Sequence, residues 1–214
     1  MPHLNLRACR RAATAAVALT VVSLLSPAAA QGAELRFADS TRDVVKLDFA
    51  DESFEPVADP ATRNADIKSG YIHYRKGRLV LRANFVELRR ASNILTNFSG
   101  MVRTNEKRRW YYDVTTSPGR YAGHDTLESA SGRGNCEIGH MFDYAENFAR
   151  VSIPLRCLSH PKWVRIRMGA ATLTFDRAAL ESGEIKPGEL ELRMDDALSD
   201  TSDFTAWSPR VRRG

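Results

Sequence analysis

The stretch Gly70–Phe85, GYIHYRKGRLVLRANF, alternates apolar and polar residues on both sides of a Lys76-Gly77 turn. A period of two with a glycine at the reversal specifies a β-hairpin and excludes a helix there. Pairing across the turn sets Tyr74 against Leu79 and Ile72 against Leu81 on a core face, with His73 against Val80 and Tyr71 against Arg82 on the other. Related strand patterns recur in DVVKLDF, TNFSGMVRT, RRWYYDVTT, KWVRIRMGAATLTF and ELELRM, separated by the turn signals NEK, SPGR, SGRGN and KPGE. Helical periodicity is confined to DRAALESG, ending at Gly183. These features predict an all-β, single-domain antiparallel β-sandwich, jelly-roll-like, with at most one or two short helices. Pro56 and Pro60 mark DESFEPVADPATRNAD as an exposed loop. The last twenty residues form an extended polar segment that Phe204 and Trp207 can dock onto the body.

Residues 1–30 read as a signal peptide: Arg7, Arg10 and Arg11 precede the apolar run Ala12–Leu25, and Ala28 and Ala30 make an A-x-A cleavage pattern. That run is too short for the roughly 30 Å hydrocarbon core of a bilayer. A secreted, extracellular protein with no membrane span after cleavage is therefore expected, its domain covering residues 31–214. The leader removes three of 31 basic residues and none of 26 acidic ones, leaving 28 against 26, a net charge of +2. So slight an excess gives no support to nucleic-acid binding. A monomer is expected.

Cys9 leaves with the leader, so Cys136 and Cys157 remain as a pair in an exported chain, which predicts a disulfide. The residues between them read as a second hairpin. Facing Phe142 with Val151, His140 with Ile153 and Ile138 with Leu155 also faces the cysteines and leaves Ala145–Phe148 as a four-residue connection. Pro154 lacks an amide donor, so PLRCL has a short helix as its alternative. A metal site built on both thiols and His140 lacks a fourth ligand and the tight spacings zinc favours.

The spaced elements DSTRDV, PATRNADI, YIHYRKGRLVLRANFVEL, VSIPLRCL, PKWVRIRMG, DDAL and SPRVRRG resemble uncharacterised secreted actinobacterial proteins. Those in turn look like β-sandwiches of the DOMON and carbohydrate-binding-module type. The similar proteins often carry glycine where Arg42 and Ala65 stand in this chain. The resemblance implies export and a sandwich fold.

Three candidate chemistries follow from the residues. Asp39, Asp43, Asp66, Asp195 and Asp196 fall at loop or strand ends and offer hard oxygen ligands to calcium. In RRWYYDV, Trp110 and Tyr112 share one strand face and Tyr111 the other, so one face presents an aromatic platform to a sugar ring. If Trp110 and Tyr112 fill the core, Tyr111 with Tyr71 and His73 becomes the exposed set. The third is a secreted hydrolase using His124 with nearby Asp125, Ser129 or Ser131, or a glutamate, although no G-x-S-x-G elbow occurs. The expected function is accordingly non-enzymatic binding of carbohydrate or another cell-envelope component, with the hydrolase as the alternative.

Overall fold

The computed structural model describes residues 34–48, 55–129, 132–133, 136–182, 190–198 and 206–214. The leader, Ser131, Gly183, the KPGE turn and Phe204 lie outside the described residues. Among those described, the strands form two antiparallel sheets packed as an all-β sandwich. The smaller sheet runs in the order β1 (Glu34–Ala38), β4 (Ile67–Arg75), β5 (Arg78–Phe85), β11 (Phe148–Pro154), β10 (Gly139–Asp143). The larger runs β3 (Val57–Ala58), β2 (Val45–Asp48), β13 (Leu190–Asp196), β12 (Trp163–Phe175), β6 (Ile94–Thr104), β7 (Arg109–Ser117), β8 (Arg120–Ser129), β9 (Gly132–Arg133). A last short strand, β14 (Val211–Arg212), lies against β12. Among the described residues, helical structure is limited to α1 (Arg177–Ser182) and one 3-10 turn, Leu155–Leu158. No described helix is long and apolar enough to cross a membrane.

Strand alternation determines where the core sits. Leu79, Leu81, Ala83 and Phe85 of β5 point inward with no exposed surface, and Val164, Ile166 and Met168 of β12 do the same from the opposite sheet. Phe98 of β6 bridges the two layers, meeting Phe85 edge-on with ring centroids 6.4 Å apart and Tyr112 at 5.8 Å. Each buried Leu, Ile, Val, Met or Phe side chain contributes about 1.5–3 kcal/mol by leaving water. The Lys76-Gly77 hairpin has the expected register, with Tyr74 opposite Leu79 and Ile72 opposite Leu81. The loop around Pro56 differs from expectation in one respect: Val57 and Ala58 pair with β2 as an edge strand.

Cys136 and Cys157 are joined, with Cα atoms 5.7 Å apart. The hairpin between them is shifted from the expected register. His140 faces Val151 and Phe142 faces Ala149, so the connection is Tyr144–Asn147. The turn closes one residue early because Asp143 Oδ1 accepts the amides of Ala145 and Glu146, at 3.0 and 2.9 Å, and Asn147 takes a left-handed φ of 53°. Asn147 also accepts the amides of Phe85, through its carbonyl, and of Leu88, through Oδ1. After Pro154 the chain leaves the ladder and turns through the 3-10 segment, which brings Cys157 back to Cys136.

Candidate functional site

Five aspartates meet where one edge of the smaller sheet adjoins the larger. Asp39 follows β1, Asp43 precedes β2, Asp66 precedes β4, and Asp195 and Asp196 end β13. One oxygen from each of Asp43, Asp66 and Asp195 lies within 4.8 Å of the others. Asp39 is close enough for Asp195, Asp43 and Asp196 to act on its carboxyl. Asp66, Asp195 and Asp196 are buried, at 1%, 3% and 2% exposure.

Backbone geometry aims these groups inward. Arg42 and Ala65, each immediately before an aspartate of the cluster, hold left-handed φ values of 73° and 65°. The Arg42 amide then donates to Asp66 Oδ2 at 3.1 Å, the Ile67 amide donates to Asp195 Oδ2, and the Ser40 amide donates to Asp39 Oδ1 at 3.1 Å. The second oxygens of Asp66 and Asp39 are buried and accept no hydrogen bond. Among the described residues, no lysine or arginine forms an ion pair with Asp39, Asp66 or Asp195. Arg63 and Arg42 act on Asp66 only at longer range. A cavity of about 510 Å³, whose walls include Thr41, Arg42, Arg63 and Asp66, borders the site on the Asp66 side.

Such crowding opposes ionisation. Burial, then the charges of Asp195 and Asp43, push Asp39 up to about 8. Burial, reinforced by Asp43 and Asp66, pushes Asp195 up to about 7 against the stabilising Ile67 amide. Burial also raises Asp66. Either protons or a cation must neutralise the group. The donors are all hard oxygens, and a span within 4.8 Å matches the roughly 4.6–5.2 Å across a calcium ion with ligands at 2.3–2.6 Å.

The aromatic candidates are divided between environments. Tyr112 is buried at 1% exposure, and Trp110 packs partly buried against the core, whereas Tyr111 is 46% exposed on the outer face of the larger sheet. Tyr71 and His73 lie on β4 of the smaller sheet, so they form no common platform with Tyr111. Tyr111 instead borders a groove of about 300 Å³ with Met101, Ser99, Asp113 and Arg167. The groove follows from strand pairing. Gly100 lies between Met168 and Tyr112, whose side chains point inward, so the outer surface there is bare backbone between two rows of side chains. Gly100 is required at this point, since a Cβ would stand 2.1 Å from the Arg167 carbonyl and 2.6 Å from Tyr112 Oη.

Asn97 Nδ2 donates to Asp113 Oδ2 and to Thr115 Oγ1, and Thr115 Oγ1 donates to Asp113 Oδ1, fixing the carboxylate at the groove rim. On the other side the Arg167 guanidinium stacks 4.4 Å over Trp207, which docks the C-terminal segment. Sequence alone did not single out Asp113, Ser99 or Arg167, because their convergence depends on β12, β6 and β7 being neighbours.

His124 is exposed on β8 opposite Thr115, whereas Ser129 lies opposite Trp110. Five residues along a strand separate them by about 17 Å and place them on opposite faces. Among the described residues, a histidine meets an aspartate at His140, whose Nδ1 bonds Asp125 Oδ2 between β10 and β8. Compared with protein-family models, curated proteins and solved structures, the chain matches none.

Proposed function

We propose that the protein is an exported β-sandwich that acts by binding, with calcium held by Asp39, Asp43, Asp66, Asp195 and Asp196. The observation that carries the calcium reading is the buried Asp66 carboxylate, one of whose oxygens accepts no hydrogen bond beside Asp43 and Asp195. A divalent ion replaces the missing bonds and neutralises charge that burial disfavours. Because its ligands come from β1, β2, β4 and β13, the ion joins the two sheets at this end. Direct calcium titration by calorimetry tests the site. The metal-free protein should bind calcium, and Asp66→Asn should weaken that binding about tenfold or more, as fewer charged ligands lower affinity. Absence of a binding heat together with an unchanged melting curve in calcium would reject the site.

The groove beside Tyr111 supports a carbohydrate, or another envelope component with a similar hydroxyl-rich face, as the ligand of this module. Its exposed ring and Met101 offer apolar surface, while Asp113, Ser99 and Arg167 offer hydrogen-bonding groups around it. A glycan array read with the parent and with Tyr111→Ala tests this reading. Binding lost in the variant supports the groove; equal binding by both proteins, or none by the parent, removes it.

A further inference from the structure

The outer face of the smaller sheet carries a charge distribution that its own residues do not balance. Cross-strand pairing sets Arg75 directly opposite Arg78 and Arg82 opposite Arg150. Like charges in these positions destabilise a sheet unless something else meets them. Arg82 is occupied, donating to Asn84 Oδ1 at 2.8 Å and lying 3.7 Å over the Phe148 ring. Arg75, Arg78 and Arg150 are exposed, and among the described residues none of them forms an ion pair. Their visible partners are neutral: Arg78 Nη1 reaches Ser152 Oγ at 3.0 Å, and Arg150 Nη2 approaches Met141 Sδ at 3.9 Å.

Two acids near this face are already engaged. Glu34 bonds Arg36 at 2.6 Å and His73 Nδ1 at 3.1 Å, and Asp125 bonds His140. Arg75 Nε lies against the His73 ring, 3.1 Å from Nδ1 and 3.2 Å from Nε2, which holds that guanidinium along the sheet. The three unpaired arginines surround a concavity of about 320 Å³ whose remaining walls include Tyr71, His73 and Ser152.

We propose that this concavity binds an acidic polysaccharide, with a carboxylate or sulfate of the polymer placed among Arg75, Arg78 and Arg150. Guanidinium groups recognise such planar or tetrahedral oxyanions through paired N–H donors. A hydroxyl at Ser152 and the Tyr71 ring beside the arginines suit a sugar bearing the charge. The large apolar side chains exposed among the described residues are Val57, Tyr111 and Met141, and only Met141 belongs to this face, so the surface lacks the apolar anchor a lipid bilayer would engage. The inference is independent of calcium and of the groove on the other sheet.

Affinity chromatography tests it, using immobilised polygalacturonate and heparin with a neutral glucan as control, and vesicles of phosphatidylglycerol and duplex DNA as competitors in solution. The parent should be retained on both acidic polymers at low salt and not on the glucan. Neutralisation of three contacts by Arg75→Gln, Arg78→Gln and Arg150→Gln together should weaken retention about tenfold or more and flatten its dependence on salt, as counterion release requires. These are exposed positions whose neutralisation also removes like-charge repulsion across the strands, so a melting temperature no lower than the parent's verifies the fold of the variant. Failure of the parent to bind either acidic polymer, undiminished binding by the triple variant, or displacement by vesicles or DNA at equal charge concentration would overturn the proposal.

Discussion

Arg42 and Ala65 occupy left-handed backbone positions beside the carboxylates they position. An L residue there costs about 1–2 kcal/mol relative to a right-handed conformation. Arg42→Gly should relieve that strain without removing a buried side chain. After allowing about 0.5–1 kcal/mol for the greater freedom of glycine in the unfolded chain, the gain should raise the melting temperature by roughly 2 °C. At Ala65, buried at 3% exposure, the lost methyl contact of about 0.8 kcal/mol offsets the relief, and Ala65→Gly should leave the melting temperature nearly unchanged. The aromatics of β7 divide just as sharply. Tyr111→Ala should change stability by within about 0.5 kcal/mol, whereas Tyr112→Ala should cost about 3–5 kcal/mol; chemical denaturation of both variants measures the contrast.

At the level of elements, the disulfide closes a hairpin that its own strands leave at the end of a sheet. The loop between Cys136 and Cys157 has a separation of 21 residues, for which loop-closure entropy gives about 3 kcal/mol. Mature protein, without the leader and its Cys9, should therefore show no reactive thiol, and reduction should lower the melting temperature by several degrees; two freely titrating thiols in unreduced mature protein would contradict the bridge. The hairpins also separate what local sequence specifies from what it does not. Lys76-Gly77 fixes its register because glycine, at φ 100°, permits a tight reversal and the alternation on both arms agrees. Between the cysteines, alternation alone allows registers that differ by two. Asp143 and Asn147 select the observed one through side-chain bonds to turn and neighbouring backbone amides. Strand β8 escaped notice because Gly123, at φ 96°, interrupts an already polar stretch.

Across the whole molecule, the acidic site was legible as a set of residue types at strand ends, but its assembly was not. Proximity of Asp66 to Asp195 depends on the start of β4, the strand next to the edge of one sheet, meeting the end of β13 within the other, and the Ile67 amide that bonds Asp195 is 128 residues away in sequence. The same dependence hides the groove, since Tyr111, Met101 and Arg167 become neighbours only through the order β7, β6, β12. Once assembled, the carboxylates make stability respond to pH and metal together. Their folded pKa values are raised above the unfolded 3.8, Asp39 to about 8 and Asp195 to about 7, so the metal-free native state binds more protons than the unfolded chain between these limits. Its proton-linked stability is present near pH 4 and lost as pH rises through about 7–8. Calcium competes with those protons, and its stabilisation should grow in the same direction. The decisive measurement is thermal unfolding across this pH range in chelator and in excess calcium. The calcium-bridged sandwich predicts curves that nearly coincide at low pH and diverge steadily toward pH 8, with the calcium form the more stable; superimposable curves at every pH would contradict it.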